Sequence, residues 1–127
     1  MDDLVRWLGE QLDEDERIAR AAGNDRVAPT PWRGESWDDA VLDGDGLVDA
    51  NGDGIALVKG ERVRAHILQH DPARVLREID AKRRTLVRCE EAMLTASPML
   101  VHFAKQTAWE MAQPCADRPG YKESWRP

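Results

Sequence analysis

Apolar residues recur along this chain with two different periods. From Asp2 to Ala22 the spacing is helical. Leu4, Leu8 and Leu12 stand four apart, and Val5, Ile18, Ala19 and Ala22 widen the same face. Asp2 and Asp3 open the segment, where the helix dipole favours negative charge, and Gly23-Asn24 closes it. Pro29, Pro31 and Gly34 make residues 24–34 a loop. Between 35 and 59 the helical period gives way to short β-prone runs: Ser36-Trp37, Val41-Leu42, Leu47-Val48 and Ile55-Ala56-Leu57-Val58. Asp43-Gly44-Asp45-Gly46 and Asn51-Gly52-Asp53-Gly54 lie between them, and Asp-Gly and Asn-Gly are strong hairpin signals. This predicts an antiparallel unit of two or three strands, too small to stand without a helix against one face.

The helical period returns after Gly60. A short helix is predicted over 61–69, carrying Val63, Ala65, Ile67 and Leu68. Asp71-Pro72 then supplies a preferred N-cap followed by a preferred first helical residue. The helix it starts runs over 72–94, with Val75, Leu76, Ile79, Leu86, Val87, Met93 and Leu94 as its stripe. Ser97-Pro98 repeats the device for a helix over 98–113, with Leu100, Phe103, Ala104, Thr107 and Met111 on one face. Residues 114–127 form a tail that turns at Arg118-Pro119-Gly120 and carries Tyr121 and Trp125 as anchors. The expectation is one α+β domain over 1–127. It has three main α-helices, a two- to three-stranded antiparallel sheet, and a C-terminal tail packed on the body.

Charge adds an asymmetry. The net charge of the 127 residues is −6, but residues 1–58 carry −10 and residues 59–127 carry +4. Opposite halves can neutralise each other within the fold, which requires no partner; an acidic face meeting a basic partner is the alternative. The acidic balance argues against nucleic acid, whose phosphates call for Lys and Arg. The two cysteines, Cys89 and Cys115, make no disulfide framework. No apolar run is long enough for a signal peptide or a membrane span, so the expected location is the cytoplasm.

Three runs carry a resemblance. They are Leu12-Asp13-Glu14-Asp15-Glu16-Arg17; His66 through His70-Asp71-Pro72-Ala73-Arg74-Val75-Leu76 to Ala81-Lys82-Arg83; and Ala116-Asp117-Arg118-Pro119-Gly120-Tyr121 through Trp125-Arg126-Pro127. On these the chain resembles DUF6221, a family of small proteins from actinobacteria and their phages filed as a domain of unknown function. The likeness spans the chain apart from the β region and the stretch around 92–113. It implies domain unity and brings no activity with it. Cys115 departs from the family pattern, where a tyrosine stands, which speaks against a shared thiol ligand or nucleophile there.

Four groups of residues could carry chemistry. His66 and His70 have the i,i+4 spacing of two zinc ligands on one helix face, with Asp71 adjacent, although Ile67 stands where a zinc-peptidase helix has its Glu. Cys89, His102, Cys115 or Asp117 could complete such a set. The alternative is that both imidazoles are hydrogen-bonded at a junction between helices. Asp49, Asn51 and Asp53, with Gly54 following, match the start of a calcium loop, but its twelfth position is Gly60 and its flanks read as strands. A hairpin turn explains the same residues. Arg74, Arg77, Lys82, Arg83, Arg84 and Arg88 could grip phosphates, or pair with the acidic first helix. Of five tryptophans, Trp7 and Trp109 fit a core role. Trp32, Trp37 and Trp125, with Tyr121, sit in turn-rich segments where an interaction surface is the competing role.

No nucleophile elbow or phosphate loop occurs. The reading that follows is a non-catalytic protein-interaction or regulatory module that binds an unidentified protein or itself, with no cofactor assigned. A zinc-type metal protein or metal-dependent enzyme centred on His66, His70 and Asp71 is the alternative.

Overall fold

The computed structural model describes residues 1–23, 31–38 and 43–127, with the side chains of 36–38 and 43–45 outside the description. Its elements are α1 (Asp2–Ala22), β1 (Arg33–Asp38), β2 (Asp43–Val48), β3 (Gly54–Val58), α2 (Glu61–Gln69), α3 (Pro72–Met93) and α4 (Pro98–Ala112). Single 3-10 turns follow at Gln113–Cys115 and Glu123–Trp125. The class is α+β with a three-stranded antiparallel sheet. Among the described residues there are four α-helices: the three main ones and the short α2, which has the bounds expected for it.

The chain forms two compact units, Met1–Glu16 with Glu78–Pro127, and Arg17–Arg77. In the first, Leu4, Leu8 and Leu12 of α1 are buried, as are Ile79, Leu86 and Cys89 of α3. The buried row of α4 is Ala104, Ala108 and Ala112. That corrects the face expected for α4: Leu100 is 49% exposed and Phe103 58%. The small alanines take the buried side of the helix, and the larger Leu100 and Phe103 are turned outward.

In the second unit the strand order is β1-β2-β3. Arg33 pairs with Val48 and Trp37 with Gly44 on one side of β2; Leu47 pairs with Ala56 and Asp45 with Val58 on the other. The expected turn at Asp43-Gly44-Asp45-Gly46 is therefore the first part of the central strand. A central strand satisfies its backbone groups on both edges, and that outweighs a local turn preference. Leu47 and Val48 at its end are essentially fully buried. The β-prone run Val41-Leu42 lies outside the described residues. On α1, Ala19 is buried while Ile18 is 52% exposed, so Ile18 leaves the expected apolar face.

Both cap-then-proline devices stand at helix starts. The Asp71 carboxylate accepts the Arg74 N–H at 2.8 Å, and Pro72 is the first residue of α3. Ser97 Oγ accepts the Leu100 N–H at 3.4 Å, with Pro98 opening α4.

Candidate functional site

His66 lies in the last turn of α2, and His70 is its C-cap residue at φ −118° and ψ 33°. The His70 N–H donates to the Ile67 carbonyl at 3.0 Å, which tightens the helix end instead of extending it. The two rings nevertheless lie side by side, centroids 4.7 Å apart and planes inclined at 46°. Both side chains are exposed. Among the described residues neither imidazole has a hydrogen-bond partner, so the junction hydrogen bonds expected for them are not seen there.

Asp71 behaves differently. It is buried, with one carboxylate oxygen on the Arg74 N–H and the other accepting the Trp32 N–H at 3.0 Å. It caps α3 and ties down the backbone before β1, so both oxygens are engaged and it leaves the expected ligand set. Among the described residues no three His, Cys, Asp or Glu side chains gather to hold a metal ion. His102 is exposed beside the Phe103 ring, and Cys89 and Cys115 are buried free thiols. Burial pushes both thiols up from their ordinary range, which disfavours a reactive thiolate.

The Asp49 carboxylate accepts the N–H groups of Asn51 at 2.8 Å and Asp53 at 3.0 Å, and the Asp49 N–H donates to the Asp53 carbonyl at 3.0 Å. These bonds close a turn between β2 and β3. The flanks are strands, and Gly60, at the twelfth position of a calcium loop, is the N-cap of α2 with φ 94°. The hairpin turn expected as the other role of these residues is present.

The tail is locked into the first unit. Trp125 is 6% exposed. Its ring centroid lies 5.3 Å from that of Trp7 and 5.9 Å from that of Tyr121, and Tyr121 in turn lies 5.9 Å from Trp7. Trp7 Nε1–H donates to the Pro119 carbonyl at 2.9 Å. Gln113 Nε2 donates to the Trp109 carbonyl at 2.9 Å, to Tyr121 Oη at 3.1 Å and to the Trp125 carbonyl at 3.3 Å. Gly120 adopts φ 86°, and a Cβ there would stand 2.9 Å from Trp7 Nε1. Trp125 is thus spent inside the unit and Tyr121 is half-buried, so neither offers the expected free interaction surface. Trp32 is half-buried and its N–H is held by Asp71. The Trp37 side chain lies outside the described residues. The turn expected at Arg118-Pro119-Gly120 is present, with the Tyr121 N–H donating to the Arg118 carbonyl; the role of Gln113 has no signal in the sequence.

The acidic run of α1 is paired, not merely solvated. Arg83 reaches Asp13 and Glu16, and Arg118 reaches Asp15. Donating to these carboxylates, with Glu16 and Asp15 the leading partners, raises both guanidinium groups further above their ordinary range. Lys122 donates to Asp3 at 2.5 Å and lies 5.4 Å from the Trp125 ring centroid.

The corner between α3 and α4 is the contrast. Leu94 is 88% exposed, Met99 68%, Leu100 49% and Phe103 58%. Met99 and Phe103 are four apart on α4, and Leu100 and Phe103 three apart, so they share one side of the helix. A cleft of about 430 Å³ adjoins Leu94, lined by Met1, Asp2, Val5, Glu90, Met93, Val101 and Lys105. No described helix is long and apolar enough to cross a membrane.

The sequence profile described as "Family of unknown function (DUF6221)" matches residues 1–127. No curated protein and no solved structure matches the chain. On a match over its whole length, the chain belongs to the DUF6221 family of unknown function.

Proposed function

We propose that this chain is a non-catalytic interaction or regulatory module that self-associates through the corner between α3 and α4. The observation that carries the reading is the exposure of Leu94, Met99, Leu100 and Phe103. Contiguous exposed apolar side chains mark interaction sites on proteins of this size.

A second copy is the occupant that best complements this face. Beyond Phe103 the outward row of α4 continues through Gln106 and Thr107, both uncharged, to Glu110. In an antiparallel pairing of two α4 helices about Phe103, Glu110 of one copy comes opposite the Ser97 end of the other. A carboxylate is favoured at a helix N-terminus, and in a twofold arrangement the contact is made twice. Arg83 and Arg118 are engaged by carboxylates within their own unit, which supports a protein partner over nucleic acid. Free, buried thiols support a reducing, cytoplasmic setting. The family match over 1–127 supports treating the chain as one domain, and an origin in actinobacteria or their phages is part of the same proposal.

The test is mass in solution across a concentration series. The unaltered chain is expected to dimerise, and Phe103→Glu to be a folded monomer, since an exposed substitution spares the fold. An unaltered chain that stays monomeric at every concentration, or a dimer that survives Phe103→Glu, overturns the reading.

A further inference from the structure

We propose that His66 and His70 form a two-imidazole site for a divalent transition metal of the copper, nickel or zinc type, with the remaining coordination positions open to water or an incoming ligand. The site lies within Arg17–Arg77 and is independent of the self-association reading, whose face belongs to the other unit.

Three observations converge. The first is placement. The helix ends at Gln69, yet the rings remain neighbours with centroids 4.7 Å apart. A metal bonded to both at 2.0–2.1 Å needs two nitrogens about 3 Å apart, and rings this close reach that by side-chain rotation alone. The second is availability. Both imidazoles are exposed, and neither is hydrogen-bonded to a described residue, so each can present a lone pair. Asp71, next in sequence, shows the opposite condition: buried, with both oxygens taken by backbone N–H groups. The third is field. The pair sits at the C-terminal end of α2, where unpaired carbonyls give the helix its negative pole and favour a cation.

The chemistry of the donors sets selectivity. Neutral imidazole suits copper, nickel and zinc, with copper(II) held most tightly, and is a poor donor for magnesium or calcium. With no third protein ligand among the described residues, the ion exchanges readily and keeps coordination positions for another molecule. Chelation is what distinguishes the site from a lone surface histidine: once one imidazole binds, the second acts at high effective concentration, worth about 10²-fold in affinity.

The experiment uses the full chain without a histidine tag. Copper(II) and zinc(II) binding are measured by calorimetry, and the copper complex by electron paramagnetic resonance. The variants are His66→Ala, His70→Ala and, as a control on another exposed imidazole, His102→Ala. The expected result is one copper per chain with two equatorial nitrogen donors. Either single variant should weaken binding about 10²-fold, His102→Ala should leave it unchanged, and magnesium and calcium should not compete. Equal affinity in the unaltered chain and in either single variant, or a copper signal without imidazole nitrogens, overturns the proposal. Both substituted positions are exposed, and circular dichroism verifies that each variant is folded.

Discussion

Two regions of the first unit carry large apolar side chains and treat them in opposite ways. In the tail, Trp125 is 6% exposed; at the corner between α3 and α4, Leu94 is 88% exposed. Hydrophobicity does not separate them, for leucine, methionine and phenylalanine are at least as apolar as tryptophan. Polar anchoring does. The tail brings the Pro119 carbonyl to Trp7, sets Tyr121 and the Trp125 carbonyl on Gln113, and ties Arg118 to Asp15 and Lys122 to Asp3. Each of these fixes a direction, and together they hold the aromatic rings inward. Among the described residues the corner has only local bonds: Leu94 and Thr95 N–H donate to carbonyls three residues back, at 3.2 Å each. An apolar surface with no internal anchor is one that a partner can cover.

The comparison is tested most severely at Trp125. Removing its ring by Trp125→Ala deletes a buried aromatic from among Trp7 and Tyr121 and should cost about 3–5 kcal/mol of stability. Urea unfolding followed by circular dichroism measures it. A loss below about 1 kcal/mol, the scale of an ordinary substitution, would mean that the tail does not belong to the folded core.

Gly120→Ala comes next. The residue sits at φ 86°, in the third position of a Pro-Gly turn, and its added Cβ would press on the Trp7 indole 2.9 Å away. Backbone strain and crowding together should cost about 1–3 kcal/mol. Gly120→Asn, which tolerates left-handed backbone better but still adds a Cβ, separates the two causes. If Asn is as costly as Ala, crowding against Trp7 dominates.

The corner should respond in the reverse sense. Phe103→Ala and Leu94→Ala should shift monomer stability by no more than about 0.5 kcal/mol, as exposed substitutions do, while both weaken self-association. A large loss of monomer stability from Leu94→Ala would show that the corner is internal packing, and the contrast with the tail would fail.

The same contrast marks what the sequence could reveal. The four-residue spacing of Leu4, Leu8 and Leu12 encodes their burial directly, because periodicity reports a face. Asp71-Pro72 and Ser97-Pro98 encode helix starts, because the capping bond is local. What failed depends on distant neighbours. Asp43-Gly44-Asp45-Gly46 reads as a turn until β1 pairs with all four residues and β3 with Asp45 and Gly46. Leu100 and Phe103 read as a core face until the alanine row claims that role. For the candidate site, spacing alone brought His66 and His70 together. It could not show that Asp71 is fully engaged while the two imidazoles are not.

The smallest expected effect concerns the tether at Lys122. Its hydrogen bond and charge hold the Asp3 carboxyl down from the ordinary 3.8 to about 2. A carboxyl depressed in the folded state stabilises that state fully above the ordinary value, and the contribution disappears as pH falls from about 4 through about 2. The pair is solvent-accessible, so salt screens it and the amplitude is small. At low ionic strength, a carboxyl titration by NMR should find Asp3 ionised well below its neighbours. Lys122→Met should return it toward 3.8, and Asp3→Asn should flatten the stability profile between pH 4 and 2. An Asp3 that titrates at the ordinary value in the unaltered chain would show that Lys122 does not tether the tail, leaving Arg118 on Asp15, Trp7 on the Pro119 carbonyl and Gln113 as its polar anchors.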